Sequence, residues 1–482
     1  MYEVMKKYIQ YLFTLMLVAS ACQPKFEMVP PGATSRPAKE FSENWYVTRE
    51  GTGVKNGKDW NNSLSIQMFL SKITAPDATL SNSAFHIKEG VYQITSKDGF
   101  KTLTRDVGCI RGGYSASLEY GDLSACDPEL YPTVFTGDVN ANNVADDGDG
   151  AFLYLTGGSV RFDNITFRHF YLSNAASAAM AGKGSCVFGV NGFYQSTSLE
   201  CRNCIFEGNV SAVNSETGRE GGSCAFVTQG YFKASNCLFK GNKANSRGGV
   251  IRTLGTQAVL FMDRCLMTEN QLTGGSFGSA IQCSSGVVCM NNSTLVGNSG
   301  YGSTLNGGGA FLVVNSTVID DANPSDAENA AFRCESSEGA NSTIINSVFS
   351  SSQSEGRGLI LNNAVLTSKG YNLFKTVDLR GTSADPTKPG DTVKNSVLNG
   401  SVQGRTWMWD INQVLSSLRG FAIVDDVFDA AVAFNPLEYS EIAVMGRSFA
   451  TWVTAPSFAK DARGSIRGDD RFQPGSYDPN ID

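Results

Sequence analysis

Between Leu199 and Asn298 short apolar runs alternate with Gly, Ser and Asn, and the alternation repeats. Four segments carry nearly the same pattern: Cys204-Ile-Phe-Glu-Gly-Asn209, Cys237-Leu-Phe-Lys-Gly-Asn242, Cys265-Leu-Met-Thr-Glu-Asn270 and Ser293-Thr-Leu-Val-Gly-Asn298. The residue before each is usually Asn: Asn203, Asn236, Arg264 and Asn292, in a column that extends back to Asn164 and on to Asn315 and Asn346. Gly-led apolar runs lie between them: Gly184-Ser-Cys-Val-Phe188, Gly222-Ser-Cys-Ala-Phe226, Gly248-Gly-Val-Ile251 and Gly278-Ser-Ala-Ile281. Runs this short, β-branched or aromatic and bounded by turn formers, predict strands. Self-similarity at a period of this size predicts a solenoid.

By subtraction the column recurs at 39, 33, 28, 28, 23 and 31 residues. A period that drifts above a floor fits one superhelical turn with loops of variable length. Strands of successive turns then stack in parallel about 4.8 Å apart, around a core of stacked side chains. In the strand that starts at Leu199 the inward set is Leu199, Cys201, Cys204 and Phe206. The step of three across Asn203 breaks the period of two and marks a corner, where Asn tolerates the left-handed conformation. A structural asparagine ladder of Asn164, Asn203, Asn236, Asn292, Asn315 and Asn346 is expected along that corner.

The pattern resembles the right-handed parallel β-helix of pectin-lyase-like proteins, whose second corner often carries an asparagine ladder. Phe206-Glu-Gly-Asn209, Phe239-Lys-Gly-Asn242 and Gly308-Gly-Ala-Phe311 are also similar to repeats of chlamydial polymorphic outer-membrane proteins. Ile110-Arg-Gly-Gly-Tyr114, Tyr131-Pro-Thr-Val-Phe-Thr-Gly-Asp138, Ser368-Lys-Gly-Tyr-Asn-Leu373, Asp461-Ala-Arg-Gly-Ser-Ile-Arg467 and Gly475-Ser-Tyr477 resemble bacterial choice-of-anchor Q domain proteins. The resemblance implies an all-β chain: a right-handed parallel β-helix, an N-terminal cap with a short helix, and a mixed C-terminal cap. The segment 398–452 matches no part of these patterns and reads as that cap, with a short helix around 425–434.

The N-terminus changes the picture of where this solenoid sits. Lys6 and Lys7 precede an apolar run too short to span a membrane comfortably, which ends Ala19-Ser20-Ala21-Cys22. Small residues before a Cys resemble a lipobox, with cleavage before Cys22 and lipid on that residue; an ordinary secretory signal is the plainer alternative. Pro24, Pro30, Pro31 and Pro37 follow in a tether. The expected organisation is a signal peptide over 1–21, a tether over 22–40, a cap with entry strands over 41–132, coils over 133–395 and a second cap over 396–482. The expected location is the outer membrane, lipid-anchored and facing outward. In the first cap, Ile66, Phe69, Leu70 and Ile73 stand at helical spacing.

Composition narrows the chemistry. The 482 residues carry a net charge of −7 and no basic run, so nucleic acid is not an expected partner. Two histidines, His86 and His169, limit imidazole chemistry. Asp138, Asn140, Asn142, Asp146 and Asp149 fall at spacings that resemble an EF-hand loop, which reads either as a Ca²⁺ site or as a solvated acidic loop. Asn143 stands where that loop needs Gly. Cys109 and Cys126 flank one loop and are placed to close a disulfide, which export permits. Cys204, Cys237 and Cys265, and likewise Cys186 and Cys224, read as stacked buried hydrophobes.

Insertions at 171–183, 210–221 and 320–328 all precede Gly-led strands and are expected on one side of the coil, as a binding face or as tolerated loops. Arg252 and Arg333 lie on those strands, but no acidic trio aligns beside them in sequence, and Asp320-Asp321 reads as a solvated pair. No nucleophile triad or phosphate loop is visible. The expected function is therefore a non-catalytic surface for glycan or protein ligands. The alternatives are a polysaccharide lyase or glycoside hydrolase, argued from fold alone, and an accessory lipoprotein of a nutrient importer. No cofactor other than Ca²⁺ is suggested.

Overall fold

The computed structural model describes residues 41–393, apart from 77–78, 174–184, 193–196, 214–220, 275–277, 315, 321–328, 336–340, 346, 352–355, 369–371, 382 and 388–391. The expectations for 1–21, Cys22, the tether, Asn315, Asn346 and the C-terminal cap with its 425–434 helix lie outside the described residues.

One coil shows how the repeat folds. Ser198–Arg202 forms a strand of sheet A. Asn203 then turns the chain at φ +52. Ile205–Glu207 forms a strand of sheet B, and Gly208, at φ +62, turns again into the two-residue strand Val210–Ser211 of a short fourth sheet. The chain returns through a loop to the long strand Ala225–Ser235, which begins in sheet C and ends in the next rung of sheet A. This is the predicted parallel β-helix, with every rung paired in register to the next.

Register puts like residues over like. Leu199 lies against Phe232, then Leu260, Val288 and Phe311. On sheet B, Phe135, Phe167, Phe206 and Phe239 follow one another, with the Phe206 and Phe239 rings 4.6 Å apart and 9° from parallel. These side chains are buried. Each gains about 1.5–3 kcal/mol over exposure, so summed over the rungs the stack supplies most of the cohesion. The cysteines at 204, 237 and 265 lie inside, as expected, and Ser293, Ser316 and Ser347 continue that column by receiving backbone N–H bonds from the rung below.

The helix Ile66–Thr74 covers the N-terminal end of the core. Ser65 caps it by accepting from the Met68 N–H, and Ile66, Phe69, Leu70 and Ile73 are its buried face. No helix among the described residues is long and apolar enough to cross a membrane.

The coil starts earlier than the sequence suggests. Glu43–Thr48, Leu80–Lys88 and Val107–Tyr114 are already rungs of sheet A, and Gly90–Gln93 and Lys101–Leu103 already belong to sheets B and C. The long connection between Tyr114 and Thr133 hides the period there. Its Leu118 packs with Tyr46, Trp60 and Tyr114 on the outer side of sheet A.

Two expectations need correction. Cys109 and Cys126 are both free thiols. Cys109 donates to Asp163 Oδ2 at 3.3 Å and Cys126 to the Gly112 carbonyl at 3.6 Å, so each thiol is engaged with a different partner. The asparagine ladder is also not confined to the predicted corner. Asn203 Nδ2 donates to Asn164 Oδ1 at 3.2 Å, and Asn236 Nδ2 to Asn203 Oδ1 at 2.6 Å. Arg264 then takes the corner at φ +52 and pairs with Asp263 instead, and Asn292 follows at φ +49. The fully buried ladder is one turn further on, where Asn209, Asn242, Asn270 and Asn298 bond in sequence at 2.8, 2.9 and 2.8 Å.

Candidate functional site

Sheet C is entered through tight left-handed corners at Gly222, Gly248 and Gly278, with φ between +68 and +75. A Cβ at Gly222 would lie 2.2 Å from the Ala225 carbonyl oxygen, so the corner needs glycine. The strands that follow alternate faces. Ile251, Ile281, Leu305 and Phe332 point into the core. Their neighbours Arg252, Gln282, Asn306 and Arg333 therefore point outward, stacked in register on successive rungs. Phe226 precedes them in the column and Ile360 follows.

This outward column is polar and shut from water. Arg252 is 1% exposed, Gln282 4% and Asn306 0%. Arg252 donates to Ser284 Oγ at 3.3 Å, and its guanidinium lies 5.6 Å from the Phe226 ring. Arg333 pairs with Glu335 at 3.0 Å. Three atoms have no hydrogen-bond partner: Gln282 Oε1, Asn306 Oδ1 and Asn306 Nδ2. A buried polar atom left unpaired costs about 1–3 kcal/mol, so this column is not a product of stability alone.

The expected insertions lie partly outside the described residues, and only their flanking strands can be placed. Tyr171–Leu172 and Val210–Ser211 are rungs of the short sheet, and Thr317–Asp320 is a strand of sheet B, so the loops begin later than the sequence suggests. Each then leads into sheet C, at Phe188–Asn191, Ala225–Ser235 and Ala330–Glu335. Asp320 is buried and accepts from Thr304 Oγ1 at 3.0 Å, which corrects its reading as part of a solvated pair; Asp321 lies outside the described residues.

The other sequence candidates do different work. Asp138 accepts from the backbone N–H groups of Asn142 and Asn143, and Asp149 from those of Val139 and Asp146. Asp146 accepts from the Asn140 and Asn142 amides and from Gly148 N–H. Backbone bonding to Gly148 holds the Asp146 carboxyl below its usual range, whereas burial raises that of Asp149. The loop closes on itself. Among the described residues no group of three or more His, Cys, Asp or Glu is placed to hold a metal ion.

His86 lies between Tyr114 Oη at 2.8 Å and Asn44 Oδ1 at 2.9 Å. Burial, and then Arg111, hold it down at about 3. His169 takes the left-handed turn that Gly208 and Gly241 take on later rungs, at φ +55. Burial, and then Arg168, lower its pKa. Burial pushes the thiols up, to about 12 for Cys109 and about 11 for Cys126.

The sequence reading named Arg252 and Arg333 but missed Gln282 and Asn306. The signal was the polar residue that directly follows the inward Ile251, Ile281, Leu305 or Phe332 of each sheet C strand.

No family model matches the sequence, and no curated protein matches it. Among solved structures the chain is similar to pectate lyase Pel9A, at 14% identity and a TM-score of 0.43, over 91% of this chain and 96% of that one. It is also similar to a mannuronic acid specific polysaccharide family 6 lyase from human gut microbiota, at 12% identity and a TM-score of 0.27, over 72% and 85% of the two chains. Neither likeness bears on what this chain does, and the β-helix rests on the chain's own strand register.

Proposed function

We propose that the protein is a non-catalytic envelope component that holds an extended glycan along the outward face of sheet C. The observation that carries this reading is the unpaired amide of Asn306, set in register between Gln282 and Arg333. Rungs about 4.8 Å apart repeat donors and acceptors along a line, which suits a ligand that is itself a chain. Arg252 and Arg333 favour one with carboxylates, since guanidinium matches carboxylate geometry. A ligand must part whatever covers these groups, and it gains buried hydrogen bonds when it does. Lipid on Cys22 would hold this face at the outer membrane; the apolar run and small residues before Cys22 support that part of the reading.

The test is a glycan array with the soluble portion 25–482, including uronate and neutral oligosaccharides. Selective binding of uronates, weakened in Asn306→Ala, is expected, and a blank array turns the reading to a protein partner. Release of unsaturated uronate or of reducing ends in the same samples would replace it with the lyase or hydrolase alternative.

A further inference from the structure

The outward column of sheet C ends at Arg333 as a line of donors. The next rung offers Ile360, buried and apolar. The rung after it offers Asp378, to which Arg357 and Arg380 are tied at 3.3 and 2.9 Å. A ligand carboxylate at this end of the line finds its cation in Arg333, with the Asn306 amide one rung behind.

Arg333 comes with a carboxylate of its own. Glu335 follows two residues later on the same strand, so the two side chains share the outward face while Cys334 between them points into the core. Glu335 Oε1 lies 3.0 Å from Arg333 Nε, the only ion pair that Glu335 makes among the described residues. The partners are not equally free to move: the Arg333 side chain is 12% exposed and that of Glu335 26%. Glu335 is the one that can swing toward water, and a pair within reach of solvent is weakly held. Exchanging its carboxylate for another therefore costs little.

We propose that Glu335 is an internal stand-in for a ligand carboxylate: it occupies Arg333 while the face is empty and is displaced when a uronate binds. This rests on the reading of sheet C as a face for acidic glycans and adds the residue that sets its selectivity for charge. Affinity is lowered by the fraction of molecules in which Glu335 stays in place. A uronate gives Arg333 a replacement for Glu335. A neutral sugar that displaced it would leave the half-buried guanidinium short of its counter-charge, which is costly.

The test is titration calorimetry of the full chain with oligogalacturonate, oligomannuronate and a neutral oligoglucan, at about 0.15 M salt so that distant charges are screened. Glu335→Gln should tighten uronate binding about fivefold, the factor by which a partly exposed pair biases its equilibrium. The oligoglucan should gain nothing. Glu200→Gln removes the same charge from a pair on sheet A and should leave binding as it was. Should Glu335→Gln fail to hold the native melting temperature, Glu335→Asp, which keeps the charge and draws the carboxylate back by one methylene, carries the same expectation. Unchanged or weaker uronate binding, or equal tightening in Glu200→Gln, would overturn the proposal; if Asn306→Ala still weakens that binding, the glycan reading stands without it. No uronate binding by the native protein or by Glu335→Gln would overturn both.

Discussion

Asn242 donates its side-chain N–H to Asn270 Oδ1 at 2.9 Å, and its own Oδ1 receives the Asn209 side-chain N–H at 2.8 Å. It also donates to the Phe206 carbonyl and accepts from the Asn209 backbone N–H, so one amide satisfies groups on the rungs to either side of its own. Asn242→Ala strands several of these groups in the core. With each unpaired group costing about 1–3 kcal/mol, we expect a loss of about 3–5 kcal/mol, read from the denaturant midpoint. Asn203→Ala, on the half-buried corner, should cost less. Equal costs would contradict the assignment of the load to the inner column.

Acid should weaken the protein through His86. Its folded pKa is about 3, against an ordinary value of 6.5. The unfolded chain therefore binds a proton below about 6.5 that the folded chain refuses. The stability from neutral His86 is present above 6.5 and is lost as pH falls toward 3, at roughly 1.4 kcal/mol per pH unit. His86→Gln should flatten the pH dependence of unfolding across that window by this slope. An unchanged slope would show that His86 titrates normally.

The cysteines are reduced, all eleven of those described. The soluble portion 25–482, denatured without reductant, should therefore titrate eleven thiols, and reductant should leave its melting temperature unchanged. Two fewer thiols would restore the Cys109–Cys126 bond.

The loop of Asp138, Asn140, Asn142, Asp146 and Asp149 closes through its own N–H groups. Asp149→Ala should cost about 1–3 kcal/mol whether or not Ca²⁺ is present, because it releases the Val139 and Asp146 N–H groups. A melting temperature that rises with Ca²⁺ and falls with chelator would show that the carboxylates turn to a cation.

The coil was legible because its constraints are local. The period-two runs, the left-handed corner at Asn203 and the phenylalanines at 206 and 239 each leave a mark in sequence. What escaped depends on the third dimension. Asn209 and Asn203 look alike in the repeat, and only packing shows that the first is sealed and the second partly open. The rungs before Thr133 were hidden by the 115–132 connection, which is a lid on sheet A rather than a break in the coil. Cys109 and Cys126 are suitably spaced in sequence but face different partners. The outward column of sheet C was half legible: charge drew attention to Arg252 and Arg333, while Gln282 and Asn306 became notable only once their unpaired burial was known.

The most direct test is to measure the stability and the uronate binding of Asn306→Leu side by side. If Asn306 is kept for a ligand, removing its unpaired amide should raise stability by about 1–2 kcal/mol while binding falls by tenfold or more. A variant that is less stable yet binds as before would contradict the account and return Asn306 to the scaffold.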